Sequence, residues 1–129
     1  LTHHKFYSPH PPVHNSFVYT SAKQLSCITL KFKEYPMLSS NEYFDGQVKS
    51  IGFQTKTLPA TVGVMAPGEY RFDTNQKETM TVVSGEFTVQ LPNSNEWISY
   101  HQNDSFIVDA NCTFHLKVDV DTAYLCTYE

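Results

Sequence analysis

Few side chains in this 129-residue chain combine a reactive group with a spacing that chemistry can use. Cys27, Cys112 and Cys126 are an odd count without metal-ligand spacing, and no base adjacent in sequence activates any of them. They read as free thiols of a reducing compartment, so a cytoplasmic protein is expected. His3, His4, His10 and His14 fall in a Pro- and Ser-rich stretch where no Cys or carboxylate completes a ligand set, so solvated histidines describe them better than a metal site. Between residues 37 and 129 the cationic side chains are Lys49, Lys56, Arg71, Lys77 and Lys117. Arg71 has the planar fork that suits a phosphate, but alternation puts it on a polar face with Glu69 and Asp73. The most informative stretch runs from Pro67 to Gly85. There Tyr70 and Phe72 share the apolar face of one strand, a polar turn follows, and Glu78 opens a β-branched run that ends at Ser84-Gly85.

Groups of this kind need strands to position them. Eight Tyr and nine Phe, together with many Val and Thr, suit a pleated, half-buried surface. Short runs recur between turn signals: Val48 to Phe53 after Asp45-Gly46, Ala60 to Ala66 before Pro67-Gly68, then Glu69 to Asp73, Thr79 to Val83 and Glu86 to Leu91. Trp97 to Tyr100, Ser105 to Val108, Thr113 to Val118 and Thr122 to Tyr128 complete the series. None of this has helical periodicity, so the fold class is all-β, a sandwich or a barrel. The pattern sets residues 37–129 apart as one domain, with residues 1–36 an N-terminal extension rich in His and Pro. A net charge of −4 argues against nucleic acid as a general partner, and an anionic substrate would need a local cationic pocket. No run is long and apolar enough to span a membrane, and no basic segment followed by an apolar one suggests a signal peptide.

The runs Ser40-Asn41-Glu42-Tyr43-Phe44, Val48-Lys49-Ser50-Ile51-Gly52-Phe53 and Val62-Gly63-Val64-Met65 resemble the small single-domain cupins of the pyrimidine/purine nucleoside phosphorylase family. Pro67-Gly68-Glu69-Tyr70, Glu78 through Gly85, Phe114-His115-Leu116 and Tyr124-Leu125-Cys126 extend the likeness across residues 37–129. The resemblance implies a single-domain, RmlC-like jelly-roll β-barrel that forms a homodimer. It also implies phosphorolysis of purine and pyrimidine nucleosides to a free base and a pentose 1-phosphate. Nucleosides and inorganic phosphate, the co-substrate, are then the partners, with no metal and no other cofactor.

Set against the cupin pattern, Glu78 and Gly85 keep their places, but the preceding His-x-His positions fall on Phe72 and Thr74 or, at the alternative spacing, on Arg71 and Asp73, of which only the Asp could bind a metal. A Phe cannot ligate a metal. In the second cupin motif Asn103, Asp109 and Asn111 stand where Gly, Pro and Gly are usual, and the His position falls on Phe114, one residue before His115. With an inward His115, Glu78 and His115 would form the polar pair of the barrel. Phe114, Leu116 and Val118 compete for that interior, so either a bulge near Asn111-Cys112 admits His115 or the apolar set forms the dimer contact.

Phosphorolysis asks for a carboxylate against the developing sugar cation, a role for Glu78, and a donor to the departing base, a role for His115. Phosphate is assigned to Lys49, with Thr74 and Thr81 sharing the anion. An apolar wall of Tyr70, Phe72, Met80, Tyr43 and Tyr124 would stack against any base, although each is equally at home in a plain core. Two other functions compete: a cupin that binds a nucleoside or sugar without turnover, and a metal-dependent cupin enzyme drawing on His101, His115 and Glu78.

Overall fold

The computed structural model describes residues 38–129; the extension over residues 1–36, with its histidines and Cys27, lies outside the described residues. Among the described residues the turn signals cut the chain into ten strands and no helix. These are β1 (Ser39–Tyr43), β2 (Val48–Gln54), β3 (Pro59–Met65), β4 (Gly68–Asp73), β5 (Glu78–Ser84), β6 (Glu86–Gln90), β7 (Ile98–His101), β8 (Ser105–Val108), β9 (Thr113–Val118) and β10 (Thr122–Tyr128). They form two antiparallel sheets, β1-β2-β3-β10-β5-β8 and β4-β9-β6-β7. The jelly-roll is therefore two facing sheets rather than one continuous ladder. The chain crosses repeatedly between the sheets, and at Ala66-Pro67 and at Gly85 the crossing is a tight break that turns it out of the hydrogen-bonding plane.

Gly85 has φ +97, and a Cβ there would run into Thr122 Oγ1 and lie 3.0 Å from the Asp121 carbonyl oxygen. Thr122 is fully buried, and its hydroxyl takes the Glu86 N–H at 3.1 Å, so this close approach ties the sheet change to the start of β10.

Strict alternation fills the space between the sheets. Val48, Met65, Met80, Val82, Phe87, Val89, Phe106, Val108, Phe114, Leu116 and Val118 are all buried in one core. The set Phe114, Leu116 and Val118 thus packs inside and is no dimer contact. Two motif positions that look altered in sequence prove conformationally conservative: Asn103 and Asn111 sit at φ 72 and 59, the left-handed region that asparagine tolerates best after glycine.

The turn before β5 is pinned to the turn before β9 by Thr74. Its buried hydroxyl donates to the Asp109 carbonyl at 2.7 Å and accepts the Cys112 N–H at 3.0 Å, while its backbone N–H donates to the Cys112 carbonyl at 2.8 Å. Thr74→Val leaves those groups unsatisfied and is expected to cost about 1–3 kcal/mol in urea unfolding, with Thr74→Ser recovering most of it. An unchanged midpoint would remove Thr74 from the framework.

Candidate functional site

Where β4, β5, β9 and β10 come together, the inner faces enclose a cavity of about 220 Å³. Phe72, Met80 and Phe114 form its apolar walls, and Glu78, Tyr128, Ser50, Tyr43 and Asp73 supply its polar atoms. Phe72 and Phe114 are direct cross-strand partners stacked at 5.7 Å, and Phe44 from the β1–β2 turn meets Phe72 edge-on at 5.5 Å. The aromatic wall thus occupies the positions where a cupin keeps metal-binding imidazoles. Among the described residues no three His, Cys, Asp or Glu side chains converge, so the donor set does not fit a divalent cation.

Glu78 is the first residue of β5, facing Tyr128 of β10 on one side and Val108 of β8 on the other. Cys126, two residues before Tyr128 and fully buried, turns its thiol to Glu78 Oε2 at 3.8 Å. Half-burial raises the Glu78 carboxyl above the usual carboxylate range, and the Cys126 hydrogen bond only partly offsets this. The same dry surroundings push the Cys126 thiol up to about 12, with the Glu78 charge adding to the effect. The thiol therefore remains a neutral donor and no nucleophile.

Tyr124, the next inward residue along β10, is pushed up to about 12 by burial, an effect the nearby Ser50 hydroxyl partly offsets. Its ring lies over Gly63 of β3, where a Cβ would come within 2.7 Å of the phenol oxygen and of the Lys49 carbonyl. Only glycine leaves room for it.

Of the residues singled out in the sequence, Glu78, Phe72 and Met80 meet in this cavity, and Tyr43 forms part of its rim. Tyr70 and Tyr124 point inward but are not among its lining residues. The Tyr70 hydroxyl donates to the Ala66 carbonyl at 2.6 Å, and its ring extends the aromatic row toward Phe44 at 5.0 Å.

The other expected positions need correction. His115 turns outward, opposite Arg71 across the β4–β9 ladder, beside Gln90, Asn93 and Ser94; no bulge admits it, because the apolar set holds the interior. Lys49 also points outward, 3.5 Å from Glu42. Thr81 faces outward with its hydroxyl 2.7 Å from Ser105 Oγ, and the hydroxyl of Thr74 is taken up by the turns. His101 sits exposed on β7, 3.5 Å from Glu86, so His101, His115 and Glu78 do not come together. The sequence reading missed Tyr128, Cys126 and Ser50. For the first two the signal was present, since they share the alternation of Tyr124 along β10.

The family model for pyrimidine/purine nucleoside phosphorylase matches residues 38–128. The chain is 65% identical over 92 residues to a curated protein of that name from Hahella chejuensis, covering 99% of that protein and 71% of this chain. It is 66% identical over 92 residues to one from Magnetococcus marinus, again covering 99% of the relative and 71% of this chain. Among solved structures it is similar to a protein of unknown function from Vibrio parahaemolyticus, with a TM-score of 0.70 and 44% identity over 72% of this chain and 99% of that one. An RmlC-like cupin from Shewanella frigidimarina, at TM-score 0.58 and 20% identity over 76% of this chain and 88% of that one, shares the fold.

A carboxyl raised by burial makes folding depend on pH in a definite direction. The cost of burying its charge is absent below the unfolded pKa and grows as pH rises through the folded one. The stability of the wild type relative to Glu78→Gln should therefore fall as pH rises from the ordinary glutamate range toward neutrality in urea titrations. A difference that stays flat across that range would show Glu78 to be fully solvated.

Proposed function

The chain belongs to the pyrimidine/purine nucleoside phosphorylase family, and on that premise we propose that it cleaves purine and pyrimidine nucleosides with inorganic phosphate, giving free base and pentose 1-phosphate. The observation that supports this most directly is a half-buried carboxylate, Glu78, facing a cavity whose other walls are largely aromatic. Phe72, Phe114 and Met80 offer flat and polarisable surfaces that any base can stack against, which suits tolerance of both base classes better than a hydrogen-bond code would. Ionised Glu78 stabilises positive charge on the sugar as the C1′–N bond lengthens, and the low-polarity walls strengthen that interaction. The residues at the usual cupin metal positions do not fit a cation, so no step is drawn through one.

Binding without turnover is favoured by one observation: no Lys or Arg stands among the residues lining the cavity. Within the proposal, phosphate is held by hydroxyl and backbone donors or by groups that line the site only in an assembly. The proposed assembly is a homodimer through the outer face of β2 and β3, where Ile51, Val62 and Val64 are exposed beside the Lys49–Glu42 pair. A two-fold copy would cover the apolar strip and bring unlike charges together. Free thiols at Cys112 and Cys126 suit a cytoplasmic setting, and no helix among the described residues is long and apolar enough to cross a membrane.

Adenosine, inosine, uridine and cytidine are each expected to release free base only when phosphate is present, and chelator should make no difference. Glu78→Gln should lower kcat by about 10²-fold or more while the fold persists. In the wild type the acid limb of kcat/KM should have its midpoint above the usual carboxylate range, with activity lost as pH falls through it. Nucleoside binding without base release would replace this function by simple ligand capture. Val62→Lys together with Val64→Lys should give a monomer in sedimentation; a persistent dimer would move the contact elsewhere.

A further inference from the structure

With His115 outside, the departing base needs another donor, and we infer that Tyr128 supplies it, its side chain lining the cavity beside Glu78 and its hydroxyl held at the cavity's edge by Thr61. This inference rests on the phosphorylase function proposed above.

Tyr128 and Glu78 are direct cross-strand partners of β10 and β5, so their side chains leave the same face of the sheet as neighbours, and both line the cavity. The Tyr128 hydroxyl lies 2.9 Å from Thr61 Oγ1. When the threonine hydroxyl donates to the phenol oxygen, the phenol hydrogen is left to the neighbouring Cys126 sulfur, a weak acceptor that a ligand can displace. The other donors facing the cavity are committed or exposed. Cys126 directs its thiol at Glu78, Ser50 accepts the Asn41 amide at 3.4 Å, and Tyr43 is half exposed at the rim. Asp73 and Glu78 offer only acceptors when ionised. Burial, and after it the neighbouring Cys126 and Glu78, raise the Tyr128 phenol well above its ordinary value, so it remains protonated at any working pH.

In the reaction a phosphate oxygen forms the C1′–O bond as the C1′–N bond breaks, its electron pair passing to the base. Tyr128 donates a hydrogen bond to the base atom on which that charge gathers. The proton that completes the free base comes from hydrogenphosphate, which loses it on becoming the dianionic ester. Tyr128 ends the cycle as it began, a neutral phenol. Glu78 then answers the positive charge on the sugar and Tyr128 the negative charge on the base, from adjacent positions on two paired strands.

The dependence on leaving group tests this. With uridine, Tyr128→Phe should lower kcat/KM by about 10²-fold. The loss should shrink through 5-fluorouridine to a few-fold with 5-nitrouridine, whose bases leave more readily as anions. Thr61→Val, which leaves the phenol in place but unheld, should give a smaller loss with the same trend. An equal loss on all three substrates would mean that Tyr128 only shapes the cavity, and no loss at all would remove it from the site; either overturns the inference. If the wild type fails to release base from any of the three, the underlying phosphorylase function falls, and this inference with it.

Discussion

A β-strand turns alternate side chains to opposite faces, and the candidate site depends on how β9 and β10 resolve that constraint. On β9 the inward positions go to Phe114, Leu116 and Val118, all essentially buried. Exposing that set to bring His115 inward would forfeit several kcal/mol of apolar burial, so the imidazole is excluded from the interior by its neighbours. On β10 the same rule gathers Tyr124, Cys126 and Tyr128 on the inner face. Along β10 these residues give Glu78 only neutral neighbours, a phenol and a thiol. The polarity of the cavity is thus set by hydroxyls and the two carboxylates, Glu78 and Asp73, in place of imidazoles.

The strands and their turns were legible because Val, Thr, Tyr and Phe runs are punctuated by Gly, Pro, Asn and Asp, and each inward face follows from a period of two. Tyr70 and Phe72 were placed on one inward face by that argument, and Met80, put in the same wall by the resemblance, follows it too. The same argument, carried further, would have turned Lys49 away from the interior, because Val48 and Ser50 on either side of it face in. It would have turned Thr81 outward too, between Met80 and Val82. Thr74 is different in kind. Its partners, Asp109 and Cys112, lie more than thirty residues along the chain, and only folding brings a hydroxyl to those groups. Tyr128 keeps the alternation of Tyr124 and Cys126 to the end of the last strand, so its inward face was legible; that it meets a carboxylate there depends on the pairing with β5, which only folding supplies.

The loss of a metal position need not leave a hole. Phe72 and Phe114 stack across β4 and β9, and with Phe44 and Phe106 they make a continuous aromatic row. Burying Glu78 beside apolar walls raises its pKa, and the thiol of Cys126 compensates only in part. A carboxylate kept short of partners interacts more strongly with positive charge that appears next to it. Meanwhile the scaffold is preserved by substitutions that look drastic and are mild. Asn103 and Asn111 hold the left-handed turns that glycines hold elsewhere.

Tyr124 lying over Gly63 has a consequence for how this protein can change over time. The two residues face each other across the β3–β10 ladder, and the ring fills the space that a side chain on β3 would need. A first mutation at Gly63 meets a wall. Removing the ring by a mutation at Tyr124 does not free Gly63, because the Lys49 carbonyl of β2 lies just as close to that Cβ position and is held by the ladder itself. Gly63 is therefore fixed by backbone as well as by ring, and variation at this pair is open to Tyr124 alone, through a less stable form whose cavity has lost part of its backing.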